Sequence, residues 1–178
     1  MASNDSLAFW TEAVQLAGFR VAHVRRDTPT DPVRLTVVPT TQLAVCPSCH
    51  HACQLIHRHH ESHPLKDLPF GPQAVELVVH SYQFECTRCG QFFTPAAPAF
   101  APGAHATERF LAHAARLIRC SDLANAAAFL AVPEKTLEKW YYDYVERQRQ
   151  QPAAAARPIR EIGIDELRLK KKGSSTSR

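Results

Sequence analysis

Two cysteine pairs, Cys46-Pro47-Ser48-Cys49 and Cys86-Thr87-Arg88-Cys89, carry the most legible chemistry in this chain. A Cys-x2-Cys spacing lets one turn of backbone aim two thiolates at a single ion. Two such pairs supply the four soft ligands of a closed tetrahedral zinc site. Gly90 follows the second pair, where a residue without a Cβ lets the backbone turn tightly around a metal. Two other chemistries use the same spacing. A disulfide framework suits a small secreted chain, but residues 1–30 show no charged segment followed by an apolar run and a cleavage site. A thioredoxin-like redox centre uses one Cys-x-x-Cys inside a strand–helix unit, not two pairs on ribbon-like segments. Structural zinc on Cys46, Cys49, Cys86 and Cys89 is therefore the expected cofactor.

The 36 residues between Cys49 and Cys86 (86 − 49 − 1) exceed the ~15–20 of a compact two-pair site. The intervening segment must form a small structure of its own, with Gln73–Phe84 as a strand returning to the metal. It is rich in histidine: His50, His51, His57, His59, His60 and His63, with Cys53 among them. Imidazole and thiol both bind zinc, so Cys53 or a nearby histidine is an alternative ligand to one of the four cysteines. The other reading is an exposed polar loop, since four cysteines already complete the coordination. Cys120, far along the chain near a helix end, reads as a small buried apolar residue rather than a ligand.

These ligands need elements to position them. The 178 residues, 45% of them apolar, suffice for one ordinary domain or two or three small ones. No apolar run approaches the ~20 residues needed to cross a bilayer, and the cysteine usage suits a reducing cytoplasm. The net charge of +4 is uneven: residues 147–178 hold nine Lys/Arg against three Asp/Glu, and residues 1–146 hold twelve against fourteen. Four bound thiolates would add a net −2 at the metal, so charge alone argues only weakly for nucleic acid.

Residues 4–17 predict an amphipathic helix, with Leu7, Trp10, Val14 and Ala17 on one face and Gly18 as a stop. Phe19–Arg26 and Val33–Pro39 read as strands joined by a turn containing Pro29, Asp31 and Pro32. The prolines of residues 94–103 forbid a regular helix and mark a linker. Beyond it Thr107 caps a helix with Phe110, Leu111, Ala114, Leu117 and Ile118 on one face. Ser121 or Asp122 caps a shorter helix over Leu123–Leu130. After a break at Ala131-Val132, Pro133 suits the first position of a third helix, burying Leu137, Trp140, Tyr141, Tyr144 and Val145.

Short helix, tight turn and longer helix, with a supporting helix before them, is the layout of a helix-turn-helix unit. On that reading Lys135, Thr136 and Lys139 face phosphates or base edges in the major groove of duplex DNA. A plain three-helix bundle fits the same pattern, and Glu134, Glu138 and Asp143 would repel a phosphate backbone.

Several segments together add a resemblance: Val45-Cys46-Pro47-Ser48-Cys49, Lys66-Asp67-Leu68-Pro69, Val75–Val79, and Tyr82–Gly90 with the second cysteine pair. The helical segment follows, and then Ile162-Gly163-Ile164-Asp165-Glu166. Their order resembles the N-terminal part of the zinc-finger insertion-sequence transposases of the ISL-three family, over roughly residues 7–172. The resemblance implies that such domains bind the terminal inverted repeats of an element, ahead of an RNase-H-like core with three acids around two metal ions. Asp165 matches the first of those acids. The chain ends thirteen residues later, and a two-metal site needs several converging carboxylates. Glu166, its neighbour on a strand, would point the other way. No catalytic site is therefore expected to be complete, and magnesium is expected only for a full-length enzyme.

The expected fold is α+β, with a small β-rich zinc-ribbon-like domain, a helix-turn-helix domain and a flexible basic tail. The expected divisions are 1–40 (helix and β-hairpin), 41–95 (zinc domain), 96–106 (linker), 107–147 (helix-turn-helix), 148–160 (linker) and 161–178 (truncated start of a catalytic core). The expected function is a non-catalytic, DNA-binding transposase portion on the bacterial nucleoid, with self-association open and no membrane partner. A transposition regulator, an adopted transcription factor and a zinc-stabilised protein-interaction module are the alternatives. Removing zinc is expected to unfold residues 40–95 and spare the helices.

Overall fold

A computed structural model of the chain describes residues 4–150. Asp165 and the other expectations for residues 151–178 lie outside the described residues. Apolar residues alternate with polar ones through 33–37 and at 75–77, the period that buries one face of a strand. Both segments are strands. They are β2 (Val33–Pro39) and the 13-residue β7 (Gln73–Glu85). With β1 (Phe19–Arg25), β5 (Ile56–Glu61), β6 (Leu65–Phe70) and β8 (Phe92–Phe93) they form one mixed six-stranded sheet. A separate hairpin joins β3 (Ala44–Val45) to β4 (Ala52–Cys53). The helices are α1 (Asn4–Val14), α2 (Glu108–Cys120), α3 (Leu123–Leu130) and α4 (Glu134–Gln150). The α+β class is as expected.

β7 is the spine of the sheet. Its first half pairs in parallel with Val33–Val37 of β2 and antiparallel with β6. Its second half pairs antiparallel with β5 and, at Phe84 and Glu85, with β8. Val75, Leu77 and Val79 belong to a core with Val33, Leu35 and Val37, closed by Val14 and Leu16 at the end of α1. Phe84, in contrast, belongs to a second core with Ala44, Cys46, Cys53, Cys86 and Phe93. Odd and even residues of a strand point to opposite faces, so the two cores lie on opposite sides of β7. The division expected at residue 40 therefore cuts through a single sheet.

Two other boundaries, and the buried face of the last helix, differ from expectation. Helix α1 stops at Val14 because Gln15 takes a left-handed φ of 47°, so Leu16 rather than Ala17 is buried. The segment 96–106, expected to be a linker, is a packed seam. Phe100 joins the sheet core, Ala101 and Ala106 join the helical core, and bridges connect Lys66 with Ala106 and Phe100 with Thr107. The helical core gathers Phe110, Leu111, Ala126, Leu130, Leu137 and Trp140, whereas Tyr141, Tyr144 and Val145 are only half-buried.

The sheet and the helices are joined by one buried polar knot. The Asp67 carboxylate accepts from Thr107 Oγ1 (2.7 Å) and from Arg109 Nε (2.7 Å), and it also meets Arg109 NH2. Arg109 NH1 donates onward to the carbonyl of Val14 at the end of α1. Thr107 Oγ1 accepts in turn from Phe110 N, capping α2 as expected. One arginine thus ties β6, α2 and α1 together.

Candidate metal centre and helical surface

The two cysteine pairs sit on matching hairpin turns. In the first, Ala44 pairs with Cys53 and Val45 with Ala52; in the second, Phe84 pairs with Phe93 and Glu85 with Phe92. Each position has its counterpart 40 residues later (86 − 46 = 40). The hydrogen bonds match as well. His50 N donates to Cys46 O (3.0 Å) as Gly90 N does to Cys86 O (2.8 Å). Cys46 N donates to His51 O (2.9 Å) as Cys86 N does to Gln91 O (2.9 Å). The residue after the second cysteine is left-handed in both turns, with φ 55° at His50 and 71° at Gly90. Gly90 was legible as a turn residue; His50 in the same role was not.

These turns bring Cys46, Cys49, Cys86 and Cys89 together, with all four sulfurs within 4.8 Å of one another. Cys46 and Cys89 approach to 3.6 Å, and Cys49 and Cys86 to 3.4 Å. A tetrahedral ion bound at ~2.3 Å to each thiolate sets its sulfurs ~3.8 Å apart, so the group fits a metal ion. Cys46 and Cys86 are fully buried, and Cys89 lies at the surface.

The electrostatics of the group are divided. Burial opposes the Cys86 thiolate, but the backbone N–H groups of Cys89 and Arg88 hold its pKa down at about 6. Cys46 is lowered too, chiefly by the Cys49 N–H. The Gln91 N–H favours the Cys89 thiolate, yet contact with Cys86, burial and the remaining thiols push Cys89 up to about 12. Backbone N–H groups pointing at sulfur are what a bound thiolate uses.

Cys53 is not among the four. It is the counterpart of Phe93, both are buried in the same core, and burial pushes its pKa up to about 11. A packing position explains it. The histidines are likewise outside the ligand group: His57 packs on Phe92, His59 on Tyr82, and His63 on His105. Cys120 is exposed at the end of α2, contrary to the expectation of burial. An alignment of the two turns, Cys46–Cys53 over Cys86–Phe93, was the available signal for Cys53.

The helical surface is built by caps. Asp122, one of the two expected, accepts from Asn125 N (2.8 Å) to start α3. Ala131, left-handed at φ 49°, ends α3, and Val132 N returns to Ala127 O. Pro133 stands just before α4, where its carbonyl accepts from Thr136 N (2.9 Å) and Leu137 N (3.0 Å). Lys135 and Lys139 are exposed and one turn apart, so they share a face, while Thr136 is half-buried. Glu134, Glu138 and Asp143 are exposed on the same helix. Phe129 (70% exposed) and Tyr142 (63%) leave apolar surface on α3 and α4. No helix among the described residues is long and apolar enough to cross a membrane.

No protein-family model, no curated protein and no solved structure matches this chain.

Proposed function

We propose that this chain is a zinc-stabilised module that binds duplex DNA, corresponding to the N-terminal portion of an insertion-sequence transposase. Zinc is the ion that four thiolates in two Cys-x2-Cys turns suit best, and its role here is structural. Two hairpins facing each other across the metal make a zinc-ribbon-like unit. The observation that carries the DNA reading is the α3–α4 unit. An eight-residue helix, a three-residue break and a longer helix stand against α2, with Lys135 and Lys139 presented from the first turns of α4. Those lysines and Thr136 would contact phosphates or base edges of an element's terminal repeat. The resemblance to ISL-three transposases supports the target class.

The test is a gel-shift titration of the zinc-loaded protein with a terminal repeat of its source element against a scrambled duplex at physiological salt. A preference of ~10³-fold or more is the expected result. Equal, weak binding to both would remove the end-recognition reading. A second reading, a protein-interaction module, draws on the exposed Phe129 and Tyr142. It gains if no duplex is bound.

A further inference from the structure

We propose that the open face of the main sheet is a second docking surface, one that takes the phosphate backbone of duplex DNA. The proposal rests on the duplex-binding reading above and adds a contact that α4 does not supply. Strand register determines which side chains share this face. Arg25 is paired with Arg34, Arg34 with Glu76, and Glu76 with Lys66, so these four form one row across β1, β2, β7 and β6. Strands lie ~4.8 Å apart, which makes the row about 14 Å long. His23 beside Thr36 and Arg20 beside Val38 continue the same face along β1 and β2. The core that α1 closes is on the other side. Val78, beside Thr36 on the same face, is buried, whereas Arg20, His23 and Arg25 on β1 are exposed.

The charge on this face is not self-satisfied. Arg20, Arg25, Arg34 and Lys66 stand on it against two carboxylates: Glu76, which Arg34 meets at 3.1 Å, and Glu61, set beside His80 farther along β7. Asp27, beyond the end of β1, pairs with the exposed Arg25 at 2.7 Å. Arg25 and Arg34 stand directly opposite each other, each offset by its own acid, Asp27 and Glu76, whereas no salt bridge of Arg20 or Lys66 is present among the described residues. Arg34 Nε is buried and has no hydrogen-bond partner. Beside it opens a recess of about 200 Å³ lined by Arg25, Arg26 and Arg34, with Asp27, Asp31 and Pro32. Arg34 Nε is shut off from solvent, so a phosphate would meet the exposed Arg25 and Arg26 and the outer part of the Arg34 side chain, which guanidinium suits geometrically. The cations are arrayed in a line rather than converged on a point, which fits a chain of phosphodiesters and not a single free phosphate.

The experiment measures duplex affinity of the zinc-loaded full chain by fluorescence anisotropy, from about 50 to 300 mM salt, for three proteins. These are the wild type, Arg25→Ala with Lys66→Ala, and Lys135→Ala with Lys139→Ala. Each lost phosphate contact lowers the slope of log K against log salt by ~0.9, so the sheet variant is expected to lose about 2. An unchanged slope in a sheet variant with wild-type zinc content overturns the proposal, whatever the α4 variant does. A loss in the sheet variant alone upholds this surface and removes α4 from the interface. Binding to phosphatidylserine vesicles without binding to the duplex would make the partner a lipid surface and overturn the proposal. Should Lys66→Ala impair folding, Arg20→Gln with Arg25→Gln, both exposed on the edge strand, carries the same expectation.

Discussion

His50 shows how the metal centre uses its residues. It stands where the matching turn has Gly90, with an L side chain held at φ 55°. Left-handed backbone costs a non-glycine residue roughly 1–2 kcal/mol, and glycine gives back part of that in unfolded-chain entropy. His50→Gly is therefore expected to stabilise the zinc-loaded protein by up to about 1 kcal/mol in urea unfolding, with zinc stoichiometry unchanged. Lower stability or lost zinc would mean that the imidazole has a part in the site. The four ligands were legible because spacing alone aims thiolates. The backbone role of His50 was hidden behind its side-chain chemistry, since an imidazole beside cysteines reads first as a ligand. Cys53 was ambiguous for the same reason, until its pairing with Ala44 placed it in the core.

Between elements, the Asp67–Arg109 pair is the main polar tie. Breaking a buried ion pair costs ~3–5 kcal/mol, and because Arg109 is 32% exposed the expected loss for Asp67→Ala is nearer 2–3 kcal/mol. Denaturant unfolding followed through Trp10 and Trp140 reports on the sheet and helical cores, to which each belongs. A loss under about 1 kcal/mol would demote the pair to a surface contact. Arg109→Lys should not rescue the tie elsewhere weakened, because an ammonium cannot reach both carboxylate oxygens and the Val14 carbonyl as the guanidinium does. The longer elements were legible: periodicity found α2, α3, β1 and β2, the return to the metal suggested β7, and cap residues found the starts of α2 and α3, whereas the short strands β3, β4, β5, β6 and β8 were not read from the sequence. What failed was composition. Proline excludes a helix from 96–106, but it does not exclude packing, and alanines between the prolines fill both adjoining cores.

Among the described residues two of the three cores share one sheet, and this revises what metal removal should do. The earlier expectation was loss of residues 40–95 as a unit. The first half of β7 is instead held by β2 and α1, on the face away from the cysteines. Chelation is expected to release the two cysteine turns and the end of β7, while Leu35, Val37 and Leu77 stay protected in hydrogen exchange. Cys46→Ser should reproduce that pattern, and Cys120→Ser, exposed and outside the ligand group, should leave it untouched. Uniform loss of protection would show that the metal supports the entire sheet. The sequence could not reveal this sharing, because the parallel pairing of β2 with β7 joins segments separated by a long stretch of chain. No local pattern encodes such a partner.

The change of buried parity along β7 makes that strand behave like a coding frame. Val75, Leu77 and Val79 belong to the core that α1 closes and Tyr82 and Phe84 to the cysteine core, so the stretch between them sets a phase. Adding or deleting one residue there would turn one half inside out, exposing either the valines or the cysteine end. A change of two residues would restore the phase and only lengthen or shorten the strand. Lineages carrying this sheet should thus accept indels at Ser81 in pairs and reject them singly.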